Sequence, residues 1–368
     1  MKTILYGAFG RHNLGDMLFP YIVECLLKEN NIKSKIEYCD INKINMKVHG
    51  GNSVKSITEF FEYKDKLNII SVGGHIGNGC NPFDFFSKSI QNEFLPEFTK
   101  RKINPSYIIQ KSKIKMPNKF IANAIGGYDS SCLDSLKNYD YVSFRNLASY
   151  NCAKKDGIKC ELVPDSVVLL KYFLDKKIKT RNFVTSNLNN LKNKLNNRYI
   201  SIQINKEILK ENKSNLFKCV SNLISKTDIP VVFFCAGFAD HHDSINLYKQ
   251  VFQKKLPQDY VHFFEGTNIW DICNLINNSI CVIGTSLHVR IISGVYNRPR
   301  VTLFSNHADS KAKEFIEQWD NVPIFNQRQS LAKYVTKEIK EHDYEKDEKH
   351  TIFLQNEYLK KSTWVNLL

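Results

Sequence analysis

Short apolar runs of strand length alternate with longer amphipathic runs along most of this 368-residue chain, and this alternation constrains the fold more than any other feature. TILYGA at 3–8 and ICVIGT at 280–285 have the length of buried strands, whereas MLFPYIVECLLKE at 17–29 has the apolar spacing of a helix. A repeated strand–helix succession is typical of a parallel sheet that helices cover on both faces. We therefore expect an α/β protein.

Eleven strands are predicted from these runs. They are 3–8, 35–39, 68–73, 120–126, 141–145 and 160–163, then 199–205, 230–236, 260–265, 280–285 and 300–305.

A polar stretch rich in Lys and Asn interrupts the alternation once, near residues 172–198. The sequence thus predicts an N-terminal Rossmann-like domain over 1–175, a linker over 176–198, a C-terminal Rossmann-like domain over 199–330 and a helical tail over 331–368. Aromatic residues in the tail would let it pack back on the N-terminal domain. Two such domains in tandem predict a central cleft, lined by the carboxyl ends of both sheets.

The net charge of +15, from 52 Lys and Arg against 37 Asp and Glu, bears on the choice of ligand. It suits nucleic acid, an anionic membrane surface or anionic small substrates. Because no basic block with interleaved aromatic residues is present, we expect no nucleic-acid partner. The charge gives weak support for an anionic ligand, and a coding composition biased towards Asn and Lys is the alternative explanation.

The apolar segments and the cysteines indicate in which cellular compartment the protein is expected. No segment approaches the ~18 uninterrupted apolar residues of a membrane span, and the N-terminus lacks the pattern of a signal peptide. The ten cysteines form no C-x-x-C pair, and several lie in apolar runs, which favours reduced thiols over disulfides or zinc. We expect a cytoplasmic protein without a metal site.

Polar segments rich in glycine follow several predicted strands, where parallel α/β domains bind ligands. In the first, GAFGRHNLGDM at 7–17, the candidate substrate-binding residues are Gly10, Arg11, His12, Asn13 and Asp16. Its glycines would let backbone amides approach a ligand, and Asp16 would cap the following helix. A tight turn with a helix cap is the alternative.

Two further segments offer candidates in the first half of the chain. GGHIGNG at 73–79 contributes Gly74 and His75, in a glycine loop of the kind that binds anions through backbone N–H groups. Arg145 ends the predicted strand at 141–145, where it would clamp a carboxylate or phosphate through two parallel hydrogen bonds. A surface ion pair is the alternative for Arg145.

The fourth segment, GTSLHVRI at 284–291, places Ser286, His288 and Arg290 where a strand turns into a helix. A lone histidine beside an apolar run is more often packed and hydrogen-bonded than catalytic. Lys311 opens the helix after the next strand, a position that the helix dipole disfavours, so a nearby anion would help to explain it.

In this order, the segments resemble the motifs of the polysaccharide pyruvyl transferase family over about residues 3–320. The matching residues are Gly7, Gly10, Asn13, Gly15 and Asp16; Gly73 and Gly74; Arg145, Asn146 and Ser149; Pro164 and Asp165; Leu287 and His288; and Asp309, Ser310 and Lys311. The resemblance implies a GT-B-like fold and the transfer of a pyruvyl group from phosphoenolpyruvate to a sugar of a surface-polysaccharide precursor, without a cofactor. It also implies that Arg145 and His288 act in donor binding or catalysis.

One position departs from the family pattern. Where the family has an arginine two residues before the histidine, this chain has Ser286. Arg290 lies nearby, but residues two apart on a helix point to different faces. Either Arg11 or Lys311 supplies the missing cation, or the donor differs.

The chemistry of phosphoenolpyruvate suits these residue types. Its carboxylate and phosphate need fixed cations, and its methylene carbon must receive a proton before a sugar hydroxyl can attack. His288 would serve because histidine titrates near pH ~6.5, with His307 as the nearest rival. The expected partners are phosphoenolpyruvate and a sugar or lipid-linked oligosaccharide, which would bring the protein to a membrane peripherally. A GT-B-type glycosyltransferase using a nucleotide sugar and a non-catalytic sugar- or anion-binding protein remain as alternatives.

Overall fold

The structure, a computed structural model, describes residues 1–78, 81–179, 186–239, 242–304, 311–325 and 329–368. Within them the chain divides into two compact units. Unit 1 comprises Met1–Val167 with Gln355–Leu368, and unit 2 comprises Val168–Leu354. All eleven predicted strands are present, with ends displaced by up to three residues.

The strands of unit 1 are β1 Lys2–Tyr6, β2 Lys35–Asp40, β3 Ile44–Asn45, β4 Ser53–Ser56, β5 Leu67–Val72, β6 Pro117–Ile125, β7 Tyr141–Phe144 and β8 Glu161–Leu162. Counted over the described residues, these eight form one sheet in the order β3-β4-β2-β1-β5-β6-β7-β8. Every neighbouring pair is parallel except β3 and β4. Every side chain of β5 is buried, and since successive side chains point to opposite faces, both faces of the sheet are covered there.

The helices of unit 1 are α1 Leu14–Glu29, α2 Lys88–Lys100, α3 Leu133–Leu136 and α4 Leu147–Lys155, with short 3-10 turns at Lys47–His49, Ile57–Phe60, Pro82–Phe85, Lys111–Lys113, Ser130–Cys132 and Thr363–Leu367. A further 3-10 turn, Ser166–Leu169, leads from unit 1 into unit 2.

Unit 2 contains β9 Ile200–Gln203, β10 Val231–Phe234, β11 Val261–Phe264, β12 Cys281–Gly284 and β13 Arg300–Thr302. In the described part of the chain they form a parallel sheet in the order β11-β10-β9-β12-β13. Its helices are α5 Leu170–Lys179, α6 Ser186–Leu195, α7 Lys206–Thr227, α8 Ile245–Tyr248 with a π-helical continuation Lys249–Gln253, α9 Ile269–Asn277, α10 Leu287–Val295, α11 Lys311–Trp319, α12 Leu331–Glu341 and the first part of α13 Tyr344–Lys361. All residues of β9, β10 and β12 are buried, as expected for a sheet covered on both faces.

The end of α13 and the residues after it belong to unit 1. The Tyr358 hydroxyl and the Asn123 amide exchange hydrogen bonds of 2.7 and 2.9 Å. The Tyr141 hydroxyl donates to the Lys361 carbonyl at 2.6 Å, and Trp364 is fully buried. The C-terminal residues therefore complete the core of the unit that the N-terminus begins.

Each sheet has one point at which the order of its strands reverses. In unit 1 the chain moves outward from β1 and then returns to β5 on the other side of β1; in unit 2 it moves outward from β9 and returns to β12. At such a switch point the loops leave the carboxyl ends of the two strands in opposite directions and open a crevice, which is where ligands of parallel α/β domains bind. Of the segments singled out in the sequence, residues 7–13 follow β1, residues 73–78 follow β5, and residues 285–286 form the turn after β12.

A buried ion network joins β13, α10 and α13 in unit 2. Arg300 bonds Asp320 at 2.7 Å and Asp347 at 2.6 Å, and Arg290 bonds Asp320 at 2.7 Å. All four side chains are at most 3 % exposed. Burial raises the pKa of Asp320, but the two arginines outweigh it and hold that pKa well below its usual range.

Asp320→Asn should lower the free energy of unfolding by about 3–5 kcal/mol, because it leaves the guanidinium groups of Arg290 and Arg300 buried with one carboxylate between them. Urea unfolding followed by circular dichroism measures the change. Asp259→Asn, at an exposed aspartate of the same unit, is the matched control. A loss no larger than that of the control would contradict the assignment of this network as a main support of unit 2.

Candidate functional site

The loop after β1 is anchored by a carboxylate from the neighbouring strand. The Gly10 amide donates to Asp40 Oδ2 at 2.6 Å, and Asp40 Oδ1 accepts from the Ile41 amide at 2.6 Å and the Tyr107 hydroxyl at 2.8 Å. Burial raises the pKa of Asp40 to about 6. A Cβ at Gly10 would lie 2.5 Å from Asn42 Oδ1, so the approach to Asp40 requires glycine.

The remaining polar residues of this loop begin α1. Asn13, and not Asp16 as predicted, is the N-cap, and its side chain accepts a hydrogen bond from the Gly15 amide at 3.2 Å. Asp16 lies in the first turn and pairs with Arg11 at 3.2 Å. Burial lowers the pKa of Arg11, but Asp16, Tyr107 and Asp40 together raise it by more, so the guanidinium stays charged.

The loop after β5 adjoins the first loop. Gly73 and Gly74 have φ of +58° and +77°, a left-handed conformation that favours glycine. A Cβ on Gly74 would lie 3.5 Å from Asp16 Oδ1, which places Gly74 next to the first turn of α1. His12 is buried in the first loop, with its ring edge against His49. Gly79, the last residue of the predicted segment, lies outside the described residues.

A third glycine loop, which is not among the predicted segments, follows β6. The Gly126 amide donates to the Gly74 carbonyl at 2.9 Å, and a Cβ on Gly127 would lie 2.5 Å from the ring of His75. Gly126 ends the predicted strand at 120–126, and Gly127 is not among the predicted site residues. The signal was present, because Gly-Gly follows an apolar run at 126–127 just as it does at 73–74.

Arg145 follows β7 and forms an ion pair, although a buried one. Its Nη1 lies 2.5 Å from Asp165 Oδ2, and the two side chains are 7 % and 1 % exposed. Asp165 Oδ1 accepts from the Val167 amide at 2.9 Å. A Cβ on Gly126 would lie 3.2 Å from Arg145 Nε, so the guanidinium borders the third glycine loop.

The serine of the same motif holds that loop. The Ser149 hydroxyl accepts from the Gly127 amide at 3.0 Å and from the Tyr128 amide at 3.1 Å. The spacing of Arg145, Asn146 and Ser149 thus has a physical reason. Arg145 follows the end of β7 and Asn146 is the N-cap of α4. Ser149, in the first turn of that helix, fixes the neighbouring loop.

In unit 2, two buried side chains tie the turn after β12 to the neighbouring strands. Gln203 Oε1 accepts from the Thr285 and Ser286 amides at 3.0 and 2.9 Å, and Gln203 Nε2 donates to Asp243 at 2.8 Å. Asp243 also accepts from the Ala236 amide at 2.7 Å. Burial raises the pKa of Asp243 to about 7.

Ser286 and His288 begin α10 on this turn. Ser286 is the N-cap, and His288 is the second helical residue and is 8 % exposed. Arg290 lies apart from them in the interior network, where its nitrogens also donate to the Val322 carbonyl at 2.7 Å and the Thr302 hydroxyl at 3.3 Å. We therefore leave Arg290 out of the site proposed below.

Lys311 is the exposed first residue of α11. The preceding motif residues Asp309 and Ser310, and the rival histidine His307, lie outside the described residues.

The structure brings most of the unit 1 candidates together at the switch point. Arg11 pairs with Asp16, Asp16 adjoins Gly74, and the third glycine loop joins His75 to Arg145. No group of three or more His, Cys, Asp or Glu residues suited to a metal ion is found in the described ranges. No helix in the described part of the chain has the length and apolarity needed to cross a bilayer.

Comparison with known proteins agrees with both the motifs and the fold. The family model described as polysaccharide pyruvyl transferase matches residues 13–307, which confirms the resemblance predicted from the motifs. A comparison with curated protein sequences gives no match.

Among solved structures, UDP-GlcNAc 2-epimerase from Methanocaldococcus jannaschii is similar, with a TM-score of 0.60 and 15 % identity over 96 % of this chain and 99 % of that one. The epimerase from Rickettsia bellii has a TM-score of 0.59 and 13 % identity over 100 % and 96 %. That from Neisseria meningitidis has a TM-score of 0.58 and 12 % identity over 100 % of both chains. These likenesses confirm the predicted fold class, α/β with two Rossmann-like domains of GT-B type.

Asp243→Asn should change the pH dependence of stability. Between the ordinary pKa of 3.8 and about 7, the folded protein keeps a proton on Asp243 that the unfolded chain has lost. The contribution of Asp243 to stability is therefore full below pH ~4 and falls as the pH rises to ~7. Asn stays uncharged, so the variant should gain on the parent protein by up to ~1.4 kcal/mol per pH unit over that interval.

Urea unfolding of both proteins at pH ~4.5 and ~7 measures this difference. The exposed Asp259→Asn serves again as control and should differ from the parent by the same amount at both pH values. A constant difference for Asp243→Asn would mean that Asp243 is ionised throughout the interval.

Proposed function

Because the chain belongs to the polysaccharide pyruvyl transferase family, we propose that it transfers a pyruvyl group from phosphoenolpyruvate to a sugar of a surface-polysaccharide precursor and closes it as a ketal. The observation that carries the proposal is the placement of the family's motif residues. In unit 1, Arg145 and Ser149 contact the glycine loop that follows β6, and in unit 2 His288 is the second residue of the helix that follows β12 at the switch point.

Donor binding is proposed for Arg145 and Arg11. Phosphoenolpyruvate carries a carboxylate and a phosphate, and a guanidinium group matches either through two parallel hydrogen bonds. Each arginine is oriented by a carboxylate, Asp165 or Asp16. The Arg11 side chain is 24 % exposed against 7 % for Arg145. The family has an arginine at the position of Ser286, and we propose that Arg11 supplies the corresponding cation in this chain.

His288 is proposed as the residue that moves protons. A proton added to the methylene carbon makes C2 of the donor electrophilic, and one sugar hydroxyl adds to C2 and loses its proton. The C2–O bond to phosphate then breaks, and a second hydroxyl adds to the same carbon and loses its proton. One donor and one diol thus give one ketal and one inorganic phosphate. An imidazole can give the first proton and accept the next at neutral pH.

The direct test incubates the protein with phosphoenolpyruvate and candidate saccharides, free or lipid-linked. We expect release of one phosphate for each acceptor that gains the mass of pyruvic acid less one water. Release of a nucleoside diphosphate from a nucleotide sugar, without use of phosphoenolpyruvate, would favour a glycosyltransferase. Binding of phosphoenolpyruvate without turnover on any acceptor would favour a non-catalytic protein. A cytoplasmic location, with peripheral membrane contact through a lipid-linked acceptor, completes the proposal.

Arg145→Lys should weaken donor binding although it keeps the charge, because an ammonium group cannot reproduce the planar fork. The loss should be about 10- to 150-fold in affinity, or roughly 1.5–3 kcal/mol. Calorimetric titration with phosphoenolpyruvate measures it, after thermal unfolding has shown that the variant is folded. Arg101→Lys, at a surface ion pair of the same unit, is the control and should bind as the parent does. Unchanged affinity in a folded Arg145→Lys would remove Arg145 from the site.

His288→Gln should give a folded protein whose turnover is about 10²–10⁴-fold lower, since glutamine keeps a hydrogen bond but cannot carry a proton. His262→Gln is the matched control, because His262 is also buried in unit 2 and is bonded to the Asp259 carbonyl. Phosphate release under saturating donor measures both variants. If His288→Gln keeps the turnover of the parent, His288 only packs the start of α10, and His307 becomes the residue to test.

A further inference from the structure

A polar cavity of ≈ 510 Å³ lies within unit 2, in a place to which no motif points. Its volume is in the range of ~300–1,000 Å³ that is usual for small-molecule sites. Among its lining residues are Lys171, Lys179, Asn277, Asn297, Arg298 and Tyr344. Such cations, amides and a phenol can bind a polar, negatively charged ligand through ion pairs and hydrogen bonds.

The cavity is at the opposite end of the sheet from the His288 turn. Asn277 ends α9, which leads into β12, and Arg298 comes two residues before β13. Because β12 and β13 are parallel, both residues lie at the amino ends of the strands, whereas Ser286 follows the carboxyl end of β12. Four residues of strand separate the two ends by roughly 13 Å. The cavity is therefore distinct from the candidate site described above.

The lining carries excess positive charge. Lys171 pairs with Glu348 at 2.8 Å, and Lys179 pairs with Asp175 at 2.8 Å. Arg298 forms no ion pair with any carboxylate in the ranges that the structure describes, and the groups that act on its charge are the hydroxyls of Tyr344 and Tyr199. Burial lowers the pKa of Arg298, so an anion at this position would relieve the cost of desolvating its charge.

The rest of the lining suits hydroxyl groups and a ring. Asn277 is 8 % exposed, and its side chain makes no hydrogen bond to another described residue, so the amide is available to donate to and accept from a ligand. Tyr344 is 53 % exposed and offers both a ring face and a hydroxyl. An amide and an aromatic face around one arginine match a sugar that carries one anionic group.

We propose that this cavity is a second ligand site, which binds an anionic sugar, that is, a monosaccharide unit bearing one phosphate or carboxylate. Arg298 pairs with the anionic group, Asn277 bonds to sugar hydroxyls, and the ring of Tyr344 covers one face of the sugar. The site does not depend on the transfer reaction proposed above, because it shares no residue with it.

The test is calorimetric titration of the full chain with glucose 1-phosphate, glucuronate, glucose and inorganic phosphate. We expect both charged sugars to bind more tightly than glucose, and the tighter of the two identifies the anionic group. Arg298→Gln should weaken binding of the charged sugars about 10- to 150-fold, the usual effect of losing one charge-assisted hydrogen bond. Lys226→Gln, at an exposed lysine of α7, should change nothing.

A second variant distinguishes loss of binding from loss of the fold. Tyr344 is half-exposed, so Tyr344→Ala should fold as the parent does; it should weaken binding of the charged sugars but not of inorganic phosphate. No binding of either charged sugar would overturn the proposal, as would binding that neither Arg298→Gln nor Tyr344→Ala weakens. Equal affinity for inorganic phosphate and glucose 1-phosphate would overturn the assignment of a sugar.

Discussion

Buried carboxylates hold the strand-end loops in place, and the geometry of the candidate site depends on them. Asp40 accepts from the Gly10 amide, Asp165 pairs with Arg145, and Asp243 bonds the Gln203 side chain and the Ala236 amide. A glycine has no side chain with which to fix its position, so the glycines of these loops are held through their backbone by acceptors on other elements. A hydrogen bond contributes little net stability when both groups could bond to water instead. A buried donor or acceptor that is left without a partner, in contrast, carries the full cost of its desolvation.

Much of the fold could be predicted because it rests on local patterns. Alternating apolar runs located eleven strands, and the lengths of the segments between them indicated parallel connections. The strand order could not be predicted, since it depends on which edge of the sheet each crossover takes. The short pair β3 and β4 was missed because two to four residues carry too little periodicity to stand out.

Candidate site residues that belong to a family motif could be found from the sequence, whereas the residues that hold them in place could not. Arg145 stood out because it belongs to a family motif at a strand end, whereas Asp40 and Gln203 also end strands but belong to no motif. Their roles arise from partners distant in sequence. Arg290 is the converse case, because it is a predicted binding residue that the structure places in the buried ion network of unit 2. It lies two residues after His288, but positions two apart face different sides of a helix, and its side chain pairs with Asp320.

Unit 1 is discontinuous in sequence, since Gln355–Leu368 belongs with Met1–Val167. During synthesis, therefore, residues 1–167 leave the ribosome before Tyr358 can bond to Asn123 and before Trp364 can enter the core of unit 1. Unit 2 has no such dependence, because its residues are contiguous. Unit 1 can therefore be completed only after the residues of unit 2 have been synthesised, and proteolytic removal of residues 355–368 would remove part of the core of unit 1.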